Sequence, residues 1–145
     1  MFNNQLWDNM FYALVSGVLV WSGFEVFMCW AMANDHVTLI AFRDHPIWFP
    51  LAFPLIFTWI AFHFYCVHHL LYVEFLYRWV HGLHHRNVAT GPFSVISMHP
   101  VEHLLYFSSV FIHLIVPSDP VHIVFHLYYL SLGAVLAIAD LTLCW

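Results

Sequence analysis

The sequence predicts an all-α membrane protein of about four transmembrane helices, paired as two hairpins and joined by a cytoplasmic histidine-rich segment. Composition, apolar stretches and histidine content carry that expectation. Of 145 residues, 63% are hydrophobic, 20% aromatic and only 8% charged, whereas a soluble domain carries about 25% charged residues. Mean hydropathy is +0.79. Three arginines (Arg43, Arg78 and Arg86) and no lysine leave little to solvate a surface.

Four apolar stretches compare with the roughly 20 residues that cross a 30 Å hydrocarbon core. The first covers about 10–33, with Glu25 its only charge. The second covers about 46–72, with Pro50 and Pro54 near its start. A shorter third stretch, about 101–116, stops at Pro117, and the fourth runs from about 121 to 145, interrupted by Asp140. A polar turn over 34–45 separates the first two, and Pro117-Ser118-Asp119-Pro120 separates the last two. The connection 73–100 differs in kind. It carries Glu74, Arg78, Arg86, His81, His84, His85 and His99, and its two arginines place it in the cytoplasm. An even number of crossings then puts both termini there. The polar, slightly acidic N-terminus lacks the basic region of a cleaved signal peptide, so the first stretch is expected to be retained. No repeat, heptad or low-complexity tract divides the chain, which reads as one membrane domain over 1–145.

A formal net charge of −5 excludes a nucleic-acid partner, because a phosphate-binding face needs clustered Lys and Arg. Cys29, Cys66 and Cys144 sit in apolar stretches without disulfide or zinc-ribbon spacing, and are expected to be small buried residues.

Thirteen histidines are the unusual feature. Polar groups within a membrane protein line sites or cavities, and histidine is the commonest metal ligand. His81, His84 and His85 stand at i, i+3 and i+4, the spacing of one helical face. Upstream lie His63, His68 and His69. Downstream, His99-Pro100-Val101-Glu102-His103 opens the third stretch, where Pro100 suits a first helical turn and Glu102 favours a helix N-terminus. All three clusters are expected at one membrane face. Imidazoles gathered there suit iron, zinc or copper. Glu74 and Glu102 are candidate ligands, or acceptors that fix histidine tautomers. His36, His45 and His113 read as hydrogen-bonded packing residues. His122 and His126 begin near the Pro117 turn, away from the main cluster. Aromatic residues over 48–72 read as interfacial anchors and packing.

The stretch from His63 through His68-His69 to Tyr72, then Leu76-Tyr77-Arg78-Trp79-Val80-His81-Gly82-Leu83-His84-His85, then His99-Pro100-Val101-Glu102, resembles the sterol desaturase / fatty acid hydroxylase superfamily. That family reads H-R-x-x-H, L-Y-x-x-x-H-x-x-H-H and a downstream H-P-x-E, and the resemblance covers about 62–107. It implies a membrane oxidoreductase in which a histidine-bound di-iron centre and O₂ hydroxylate or desaturate a sterol, fatty acid or carotenoid-like lipid. Zinc is a possible substitute metal. Electrons would come from a cytochrome- or ferredoxin-type donor protein. By the resemblance, His68 matches the first box, His81, His84 and His85 the second, and His99 the His-Pro-x-Glu element. His63 and His103 complete the candidate metal set. Three departures stand out: His69 replaces the arginine, Tyr72 replaces the first box's second histidine, and no final box precedes Trp145. The chain is therefore expected to be incomplete, degenerate or a binder of one metal.

The alternatives are a bis-histidine haem electron carrier, with His63 or His113 facing His126, and an inactive remnant.

Overall fold

A computed structural model describes the backbone of residues 5–82 and 97–143, and the side chains of 6–82 and 97–132. The chain is 78% helical with no strand among the described residues, which bears out the all-α expectation. Helix α1 (Gln5–Met10) runs through a π-helical segment (Phe11–Gly17) into α2 (Val18–Ala33). The others are α3 (Trp48–Leu71), α4 (Glu74–Trp79), α5 (Pro100–Phe107) with its 3-10 continuation (Ser108–Leu114), and α6 (Pro120–Leu143).

Two of these are long and apolar enough to cross a membrane: Leu6–Ala33, with 28 residues, and Trp48–Leu71, with 24. At 1.5 Å per residue they reach roughly 42 and 36 Å, more than a hydrocarbon core requires. Only 17% of each apolar window is buried inside the bundle. Their outward faces carry Leu19, Val26, Phe62 and Tyr65. Cys29 and Cys66 are exposed on the same helices, contrary to the expectation that they are buried. An apolar stretch in this chain does not imply an inward face, because the outer surface is itself apolar.

Pro54 lies inside α3. The bond a proline cannot donate is tolerated early in a long apolar helix. Pro100 stands in the first turn of α5, capped by His99, whose Nδ1 accepts the Val101 N–H at 3.2 Å. The third apolar stretch is a composite: α5 tightens to a 3-10 helix where the Ser108 hydroxyl donates to Leu105 O at 2.7 Å. Such a serine back-bond competes with helix hydrogen bonds.

Helix α5 and its continuation pack between the first helix and α3, while α6 contacts both α2 and α3. Phe24, Met28, Ile56, Ile60, Phe107, Val110, Ile123 and Leu127 fill the space between them. At one end, the loop after α2 joins the Pro117 turn. Leu39 and Ser118 form an isolated parallel bridge, Ile40 N donates to Ser118 O, and Ser118 N donates to Thr38 O. Trp48 Nε1 adds a bond to Pro117 O at 3.0 Å. The C-terminal end of α3 lies at the other end of the bundle, beside α4 and the start of α5.

Candidate metal centre

The last turns of α3 carry His68, and the helix ends at Leu71 with Tyr72 as its C-cap. After Val73 the chain enters α4, which presents Phe75 and Trp79 outward and pairs the exposed Arg78 with Glu74 at 2.6 Å. Helix α4 stops at Trp79, and the helical face expected for His81, His84 and His85 lies largely outside the described residues. At Gly82 the chain turns tightly. A Cβ at Gly82 would lie 2.9 Å from Tyr77 O, a contact only glycine avoids. That turn carries His81 inward, where it is 1% exposed.

His81 Nδ1 lies 2.8 Å from Glu102 Oε1, and Glu102 is itself only 5% exposed. With Glu102 ionised, its oxygen accepts from Nδ1–H and the ring's lone pair sits on Nε2. The His68 ring stands edge-on to His81, with centroids 4.9 Å apart. Tyr72 packs against both, at 5.1 Å from His68 and 5.3 Å from His81, and stacks on Tyr77. The second oxygen of Glu102, Oε2, is buried without a hydrogen-bond partner among the described residues. Burying a carboxylate with one oxygen unsatisfied costs free energy, and a cation or donor at Oε2 would relieve it.

His68, His81 and Glu102 thus meet at one end of α3. Among the described residues no three His, Cys, Asp or Glu side chains approach closely enough to hold a metal ion. His84 and His85 lie outside the described residues. The donor chemistry suits iron or zinc: imidazole next to a buried carboxylate that orients it.

The other candidates are placed elsewhere. His99 caps α5. His103 follows Glu102 but faces the first helix. Its Nδ1 lies 3.3 Å from Ser16 Oγ, and a Cβ at Gly17 would come within 3.2 Å of its Nε2. His63 bonds Ser108 Oγ at 3.2 Å, half-buried midway along the bundle. His69 is exposed and stacks on Tyr65. Glu74 is committed to Arg78. His36 packs on Trp30, with ring centroids 4.9 Å apart.

His113, His122 and His126 are buried near the Pro117 end. His122 is fixed on both nitrogens, accepting from Asp119 N and bonding Phe49 O at 2.9 Å. His113 Nε2 and His126 Nδ1 are bonded directly at 3.0 Å. A haem iron between two axial imidazoles needs the nitrogens roughly 4 Å apart with the macrocycle between them. These two therefore do not face each other as haem ligands.

Ser16, Ser108, Ser109 and Ser118 each bond a histidine, a role that neither spacing nor motif singles out. Hydroxyl residues in apolar runs rich in histidine were the available signal.

Beside His103 lies an apolar cavity of about 100 Å³, lined by Ala13, Gly17, Trp21, Tyr106, Phe107 and Leu130 among others. One wall is the π-helical segment, a rare geometry that recurs at functional sites.

No protein-family model matches the chain, and no solved structure shows significant similarity to it.

Proposed function

We propose that this chain is a membrane oxidoreductase whose histidine-bound iron uses O₂ to hydroxylate or desaturate a lipid. The observation that carries the reading is the buried His81–Glu102 pair beside His68, with Glu102 Oε2 lacking a partner among the described residues. A carboxylate that fixes a ligand histidine's tautomer is a recurrent feature of metal sites. The motif resemblance supplies the reaction class. His68, His81, His84 and His85 would hold the metal, with Tyr72 at its edge. Bound iron supplies the activation of O₂.

The protein's own groups prepare that site. Glu102 holds the His81 N–H and directs the ring's lone pair away from itself. The turn at Gly82 brings His81 under the end of α3. The 100 Å³ cavity next to His103 offers an apolar wall to a hydrocarbon chain entering from the bilayer. In this reading α5 with its 3-10 continuation and α6 complete a four-crossing bundle of two hairpins. The histidine end faces the cytoplasm, where a cytochrome- or ferredoxin-type donor can dock.

The test is metal retention by the chain purified in nanodiscs. Replacing His81, His84 and His85 together with alanine abolishes retained iron or zinc, whereas His36→Ala leaves it unchanged. A triple variant that keeps its metal overturns the assignment.

A further inference from the structure

Four buried groups form an unbranched hydrogen-bonded line in the bundle interior, at the end away from His81. Ser109 Oγ lies 2.9 Å from His126 Nε2, His126 Nδ1 lies 3.0 Å from His113 Nε2, and His113 Nδ1 lies 2.7 Å from Ser118 Oγ. Ser118 donates its own proton to Val116 O at 2.9 Å. That terminal bond fixes the polarity of all the others. With its proton committed, Ser118 Oγ accepts from His113 Nδ1–H. A neutral His113 then presents Nε2 as an acceptor, so His126 donates from Nδ1 and its Nε2 accepts the Ser109 hydroxyl. Every bridging proton points the same way, from Ser109 towards Ser118.

Buried serines and histidines between helices in lipid also act as glue through their hydrogen bonds. Two features go beyond glue. The line has a single sense, so each proton passed on frees its group to receive the next, and histidine chains carry proton relays in membrane proteins. Its outer end also meets a cavity of about 70 Å³, lined by His113 and Ser118 with Trp48, Ala52, Ile56 and Trp59. A cavity needs only about 10–15 Å³ of such volume to hold a water.

We propose that Ser109, His126, His113 and Ser118 form a proton-transfer chain between the bundle core and this cavity. A proton handed to Ser109 Oγ from within the bundle core displaces the serine's own proton to His126 Nε2. His126 passes its Nδ1 proton to His113 Nε2, and His113 passes its Nδ1 proton to Ser118 Oγ. Ser118 releases its proton to water in the cavity. One proton enters and one leaves, and both imidazoles finish neutral as Nε2–H tautomers. Turning the hydroxyls and exchanging the tautomers resets the line. The proposal stands apart from the metal reading and uses none of its residues.

The experiment uses the full chain in nanodiscs with ¹⁵N-labelled histidine and no added metal. At rest both His113 and His126 are Nδ1–H tautomers, and the His126 N–H exchanges with water despite its burial. Ser118→Ala slows that exchange about tenfold, the equivalent of one hydrogen bond of ordinary net strength. Ser118→Thr, which keeps the hydroxyl, restores it. Ser109→Ala, at the opposite end, slows it likewise and serves if Ser118→Ala fails to fold. A network that only packs would loosen on losing a serine and exchange faster. Exchange that is unchanged or faster in the alanine variants, or Nε2–H tautomers at rest, overturns the proposal.

Discussion

His81 Nδ1 and Glu102 Oε1 share a hydrogen bond of 2.8 Å, although 21 residues separate the two and both are buried. The pair should therefore be sensitive to charge as well as shape. Glu102→Gln keeps an oxygen that accepts from His81 but removes the negative charge. Glu102→Ala removes both and leaves the His81 N–H unsatisfied. Loss of such an orienting partner costs about 10–100-fold in metal affinity. Titration of iron or zinc into the chain in nanodiscs should rank wild type above Gln and Gln above Ala; equal affinities would remove Glu102 from the site.

Tyr72 packs against both His68 and His81. A phenol has a pKa near 10 and is a poor ligand for ferrous iron at neutral pH. Tyr72→His places an imidazole one helical turn after His68 and should tighten metal binding. Tyr72→Phe should leave it unchanged. The comparison is metal stoichiometry after dialysis, and a loss of metal in Tyr72→His would show that the phenol matters.

The proposed orientation makes a topological prediction. In a background where Cys29, Cys66 and Cys144 are replaced by alanine, a cysteine at Asn34 and one at Asn87 should label from opposite sides of the membrane. A cysteine at Asp119 should label with Asn34, because the Leu39–Ser118 bridge holds their two loops together. Labelling of positions 34 and 87 from the same side would dismiss the paired-hairpin arrangement.

Gly17 faces the edge of the His103 ring, and an added Cβ would sit 3.2 Å from Nε2. Gly17→Ala gains helix propensity of about 1 kcal/mol against a contact that a small ring shift relieves, so its thermal midpoint should change little. Gly17→Val adds bulk the ring cannot evade and should destabilise the fold by about 1–3 kcal/mol. Unfolding in detergent reads both, and a Val variant as stable as wild type would show that the π-helical wall yields easily.

Much of the architecture was legible from punctuation in the sequence. Pro100 opens α5, Pro120 opens α6, and the polar run after Ala33 is the loop before α3. These signals are local, since a proline acts on its own turn. The π-helical stretch and the 3-10 tightening at Ser108 escaped notice. The first coincides with where Ser16 and Gly17 meet His103, a contact 86 residues away for Gly17, and the second with a serine's back-bond. At the candidate site, spacing singles out His81 and flags Glu102, and the structure brings these two side chains together. The helical face expected for His81, His84 and His85 lies largely outside the described residues, and the closeness of Gly82 to Tyr77 O is not written in any period. His63 and His103 carry the right side chain for a ligand, yet a serine on a neighbouring helix holds each of them.

The pairing of Thr38 and Ile40 with Ser118, reinforced by Trp48 on Pro117, has a mechanical consequence. It binds the ends of α2, α3 and α6 like the spring of a clothes-peg. Helices clamped at one end diverge most at the other, so on the proposed reading any breathing that admits a bulky hydrocarbon would be amplified at the jaws. Those jaws are the ends carrying His68, His81 and Glu102.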